Sequence, residues 1–171
     1  MCLTFTQAMR QSLTYLMYSL LKPQVAIIID SSACAMKFFD ELERTVKSSQ
    51  YGKWFSVNLK RVVFSQDEKH DLLKSEFYNI KSGGFQLVIL LVAQHLQSHV
   101  FSDANHFSLL GSIPLWVVPN YEMSGSKIGF GFQPARILSL DLERNYAGQP
   151  YSKIEEIVKS SVSLIHHGKT K

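Results

Sequence analysis

Cysteine is scarce: Cys2 and Cys34 are the two in 171 residues, too few for a disulfide-dense scaffold or a cysteine-based zinc framework. Five prolines and nine glycines exclude collagen-like and low-complexity chains. No apolar run approaches the roughly 20 residues that a membrane-spanning helix needs. Met9, Leu13, Leu16, Met17 and Leu20 fall in the first twenty residues, but Arg10 interrupts them and no basic cluster precedes them. That pattern suits an amphipathic helix better than a signal peptide, so an export signal, if the protein acts outside the cell, is expected on sequence beyond this chain. One-signed charge is missing as well. The 18 basic and 14 acidic residues leave a net +4, scattered and without the basic patch and interleaved aromatics of a nucleic-acid interface.

What is present is a core. Hydrophobic residues make up 46% and charged residues 19%, a balance that can bury enough apolar surface to offset chain entropy, which excludes wholesale disorder. The length fits one domain, or one lobe of a larger one, spanning 1–171.

Along the chain, Thr6 can cap a helix running to about Leu21, which Lys22-Pro23 stops. Val25-Ala26-Ile27-Ile28-Ile29 is a continuous β-branched run of the kind found in strands covered on both faces. Met36, Phe39, Leu42 and Val46 then recur at helical spacing between charged residues. A second strand is predicted over 57–64. Ser65 and Glu68 offer a capping box for a helix with Leu73, Phe77 and Ile80 inward, ended by Ser82-Gly83-Gly84. A third strand over 87–92 precedes a helix from about Gln97 to Leu110, with Gly111 at its end. A fourth strand over 115–118, a polar loop over 119–132, a fifth strand over 136–142 and a last helix capped by Ser152 and Glu155 complete the order. Alternating strands and helices predict an α/β fold, a parallel sheet flanked by helices on both faces. Ligands of such sheets meet the loops at the strand carboxyl ends, here 30–32, 93–95 and 119–121.

Most enzyme chemistries find no support there. A dinucleotide fingerprint, Gly-x-Gly-x-x-Gly, would follow the first strand, where the chain reads Asp30-Ser31-Ser32-Ala33-Cys34-Ala35. No Gly-Lys-Ser/Thr follows a strand and no Gly-x-Ser-x-Gly elbow occurs. A phosphorylated receiver domain needs clustered carboxylates for a divalent ion, whereas Asp30 stands opposite Ala93. Cys34 near a helix start reads as a small semi-buried residue, since neither a CxxC nor a phosphatase arginine accompanies it. His95 and His99 are four apart, with Asp103 nearby and His106 seven beyond His99. That spacing can bind zinc, while the plainer reading is a solvated helix face, so no cofactor is expected. His166-His167 reads as a polar tail.

The run Leu115-Trp116-Val117-Val118-Pro119-Asn120-Tyr121-Glu122-Met123-Ser124-Gly125, then Ile137-Leu138-Ser139-Leu140, then Ser152 to Ile165, resembles the extracellular amino-terminal domain of NMDA-type ionotropic glutamate receptors, which has the type I periplasmic-binding-protein fold. The resemblance extends to Gln86–Ala93, Phe101–Gly111 and Val25–Asp30, and motif order and spacing carry it. It implies the second, membrane-proximal lobe of a bilobed domain on the extracellular side of the cell membrane, without catalysis or membrane contact of its own. The implied partners are the missing first lobe, other receptor subunits and a small allosteric ligand, zinc in some members, in the cleft between lobes. By matching strand-end loops, the resemblance implies that Asp30, Ser31, Gln94, His95, Asn120 and Tyr121 face that cleft. Glu122, Asp141 and Glu143 lie near acidic cleft positions of some relatives, in a loop that differs here. Two departures stand out: no Asn-x-Ser/Thr sequon occurs, and the partner segment for the family's usual disulfide is missing. The alternative is a free-standing flavodoxin-like α/β binding protein or small enzyme. A severed lobe is expected to expose an apolar patch, whereas a complete domain covers its sheet.

Overall fold

A run of five apolar residues forms a stable strand when both of its faces are covered, and Val25 to Ile29 are fully buried in the computed structural model, which describes residues 7–21, 24–49, 56–64, 70–119 and 134–140. These residues are the middle of β1 (Gln24–Asp30). Helix α1 (Gln7–Ser19) precedes it. After it come α2 (Ala33–Ser48), β2 (Asn58–Phe64), α3 (His70–Ser82), β3 (Leu87–Leu91), α4 (Gln94–His106), β4 (Leu115–Pro119) and β5 (Ile137–Leu140). All strand pairs are parallel, in the order β2-β1-β3-β4-β5. The α/β architecture, one parallel sheet with helices on both faces, is the one the alternating pattern predicted. The order is that of the flavodoxin-like doubly wound sheet.

Alternation along the strands divides the core in two. Val25, Ile27 and Ile29 of β1 join Leu87, Ile89 and Leu91 of β3 beneath α1 and α2. Ala26 and Ile28, with Val88 and Leu90, face α3 and α4 on the other side. Leu13, Leu16 and Met17 of α1 and Leu42 of α2 are fully buried. Tyr18 donates its hydroxyl hydrogen to the carbonyl of Val46 at 2.9 Å, and Arg10 pairs with Glu41, so a polar tie and a half-buried ion pair pin α1 to α2. On the opposite face the fully buried Trp116 donates its indole N–H to the Leu109 carbonyl at 2.8 Å. The Phe101 ring meets it nearly edge-on, with centroids 5.4 Å apart.

Of two helix ends, that of α3 falls where the glycines were expected to place it and that of α4 does not. After α3, Gly84 takes a φ of +65°. The Phe85 N–H reaches the Ile80 carbonyl, and the Gly84 N–H that of Lys81. That pair of bonds is a Schellman closure, which needs a left-handed residue and favours glycine. After α4 the same bonds recur from Leu109 to Ala104 and from Ser108 to Asn105. The left-handed residue here is Ser108, φ 57°, so α4 stops at His106 and not near Leu110, and Gly111 is not its terminator. The helix also starts three residues earlier than its apolar stripe indicated, at Gln94. Pro119, expected to open the 119–132 loop, is the last residue of β4; the rest of that loop, the capping roles of Thr6, Ser65–Glu68 and Ser152–Glu155, residues 141–142 of the fifth strand and the last helix lie outside the described residues.

Edge strand β2 pairs its charges with the flanking helices. Lys60 pairs with Glu76 of α3 at 2.7 Å. Arg61 reaches Asp40 of α2 at 3.4 Å while lying over the Phe39 ring. Charged side chains on an edge discourage pairing with a second sheet.

Candidate functional site

The sheet order fixes where a ligand can enter. From β1 the chain crosses to β2 on one side, and β3 then pairs with the other side of β1. Connections leaving the carboxyl ends of β1 and β3 therefore diverge, and sheets of this order take their ligands at that switch point. The loops at that point are Asp30–Ser32 and Val92–Ala93, each running directly into a helix.

On the β1 side, half-buried Asp30 accepts a hydrogen bond from the Ser32 N–H at 2.9 Å on Oδ1. Ser32 in turn accepts from the Ala35 N–H on Oγ at 3.2 Å and is the N-cap of α2. Asp followed by Ser at this spacing builds an Asx turn that feeds a capped helix. The Asp30 carboxylate thus holds the loop, in which Ser31 is exposed. Cys34 is exposed on the first turn of α2, where a semi-buried position was expected.

The β3 side is built differently. The N-cap of α4 is Ala93, which has no side-chain cap bond. One first-turn bond is made, from the Leu96 N–H to the Ala93 carbonyl at 2.9 Å, and the other leading amides of the helix have no side-chain acceptor from the cap. Gln94 and His95 occupy this first turn, with the His95 ring exposed. Gln97, next along the turn, is 3% exposed, and its Oε1 has no hydrogen-bond partner. Sequence reasoning placed Gln97 at the helix start and passed over it as a site residue. The available signal was a glutamine one turn before Phe101, inside the apolar stripe.

Of the six residues expected at the cleft, Asp30, Ser31, Gln94 and His95 fall on the two adjoining strand-end segments. Asn120 and Tyr121 lie outside the described residues, as do Glu122, Asp141 and Glu143. His95 and His99 share one face of α4, both exposed. No group of three or more His, Cys, Asp or Glu is arranged to hold a metal ion among the described residues. No described helix is long and apolar enough to cross a membrane.

The surface gives a further finding. Among the described residues the exposed large apolar side chains are Leu21, Val63, Tyr78 and Ile113. One follows α1, one is on β2, one on α3 and one precedes β4, so four such side chains are all that the described residues offer toward the apolar patch expected of a severed lobe. The strand-end residues Ser31 and His95 are polar and exposed.

No family model matches the chain, and no curated protein matches it.

Proposed function

We propose that this chain is a non-catalytic α/β lobe that binds a small polar ligand at the carboxyl ends of β1 and β3. The observation that carries the proposal is the strand order, which brings Asp30–Ser32 beside Ala93–His95 at the point where the crossovers diverge. Support comes from the contrast between the two helix starts. That of α2 is closed by Ser32, and that of α4 is left without a side-chain cap, so its leading amides suit an acceptor group on a ligand. Asp30 is engaged in the loop itself, which leaves it a framework role and not that of a general base.

In its finer form the proposal assigns the lobe to the extracellular amino-terminal domain of an NMDA-type glutamate receptor. There it would close against a first lobe, pair with other subunits and relay an allosteric ligand to the channel. The motif order from Trp116 to Leu140 supports this assignment. The scattered exposed apolar residues favour a second reading, a free-standing flavodoxin-like binding domain. Sequencing the source transcript in both directions separates them. A first lobe upstream and pore helices downstream are expected for the receptor. Clean start and stop codons in an abundant transcript would mean a truncated or independent protein and count against the full receptor.

The shared claim is tested by thermal unfolding of the protein against a panel of free amino acids, dicarboxylates and sugar phosphates, since a ligand that binds only the folded state raises Tm. At least one compound is expected to raise Tm in the wild type and not in Ser31→Trp, whose indole would crowd the switch point. Equal shifts in both proteins would place binding elsewhere.

A further inference from the structure

We propose that His95 and His99 together bind a divalent transition-metal ion of borderline softness on the exposed face of α4. Residues four apart on a helix are neighbours on one face, with Cβ atoms about 5–6 Å apart, and two histidines at this spacing converge on one ion in helical His-x-x-x-His sites. Helix α4 runs unbroken from Gln94 to His106 and holds both residues in that relation. Each ring is exposed, and neither makes a hydrogen bond, ion pair or ring contact with another described residue.

The neighbours define the donor set. His106 is exposed on the same helix, but seven residues beyond His99 places it about 10 Å away along the axis. Asp103 is one turn from His99, half-buried and already engaged in another interaction. Two imidazole nitrogens are the remaining donors among the described residues, which hold no group of three or more His, Cys, Asp or Glu arranged for a metal ion. Such a pair selects Ni²⁺, Cu²⁺ or Zn²⁺ over Mg²⁺ and Ca²⁺, which prefer oxygen ligands. Coordination positions left open face solvent beside the carboxyl end of β3, where α4 begins. The inference draws on α4 alone; it shares His95 with the small-ligand proposal and differs from it in needing His99, one turn further along the helix.

The test is calorimetric titration of the full chain with NiCl₂, and separately with MgCl₂, in a non-chelating buffer. One Ni²⁺ and no Mg²⁺ per chain are expected to bind. His95→Ala and His99→Ala are each expected to weaken Ni²⁺ by roughly tenfold or more, because even the loss of an outer-sphere partner weakens a metal site on that scale. His106→Ala is expected to leave binding unchanged. Far-UV circular dichroism of each variant checks that this exposed helix stays folded. Absence of Ni²⁺ binding overturns the proposal, as does binding that survives His95→Ala and His99→Ala but disappears when His166 and His167 are replaced.

Discussion

Trp116 shows what one residue does in this sheet. Its ring fills the layer between β4 and α4, and its N–H satisfies the carbonyl of Leu109 just past the helix end. Trp116→Phe keeps an aromatic ring against Phe101 but shrinks it and leaves that carbonyl without the indole donor. The expected cost is about 2 kcal/mol from cavity and hydrogen bond together, read as a lower urea midpoint with an unchanged slope. A midpoint equal to wild type would mean that the indole N–H contributes nothing. At the strand ends the same logic assigns Asp30 and Ser32 to loop construction, each spending its acceptor on a backbone N–H. Ser31 and His95 stay exposed, and those two are the side chains through which a ligand at this edge would be read.

At the scale of the element, the two Schellman closures make a matched experiment. Gly84 and Ser108 occupy equivalent left-handed positions after α3 and α4, one with the residue type that tolerates it and one without. Ser108→Gly is expected to stabilise the protein by about 0.5–1 kcal/mol, and Gly84→Ala to destabilise it by about 1 kcal/mol. Thermal or urea unfolding measures both, and a destabilised Ser108→Gly would show that the serine side chain earns its place by contacts made elsewhere. These ends also explain where sequence reading succeeded and where it slipped. The stripe Leu73, Phe77 and Ile80 and the Gly-Gly signal located α3 together, because an apolar period and a permissive residue agree there. For α4 they disagree. The left-handed residue is a serine, so the terminator carried no compositional mark, and Gly111 drew attention three residues too late. The start slipped for a related reason: Ala93 is an N-cap without a capping side chain, and the first turn places an exposed histidine and a buried glutamine where an apolar stripe would be sought.

For the whole molecule, the continuous runs Val25–Ile29 and Leu87–Leu91 announced a central pair of strands buried on both faces, and β1 and β3 are hydrogen-bonded neighbours. Order across the sheet was less legible, since the run that became edge strand β2 differs from the central strands only in its charged Lys60 and Arg61. That order fixes the topological switch point, because β3 lies on the far side of β1 from β2. The carboxyl ends of β1 and β3 were located from the sequence by this route, while buried Gln97 was hidden by its place in an apolar stripe. The central claim, that a ligand sits at the β1/β3 carboxyl ends, is tested most directly by amide hydrogen exchange on the wild-type protein with and without the strongest stabiliser from the thermal panel. Slowed exchange is expected in segments 30–35 and 93–97, with the amino-terminal edge at Gln86 and Leu115 unchanged. Protection at that opposite edge, or in neither strand-end segment, would contradict it.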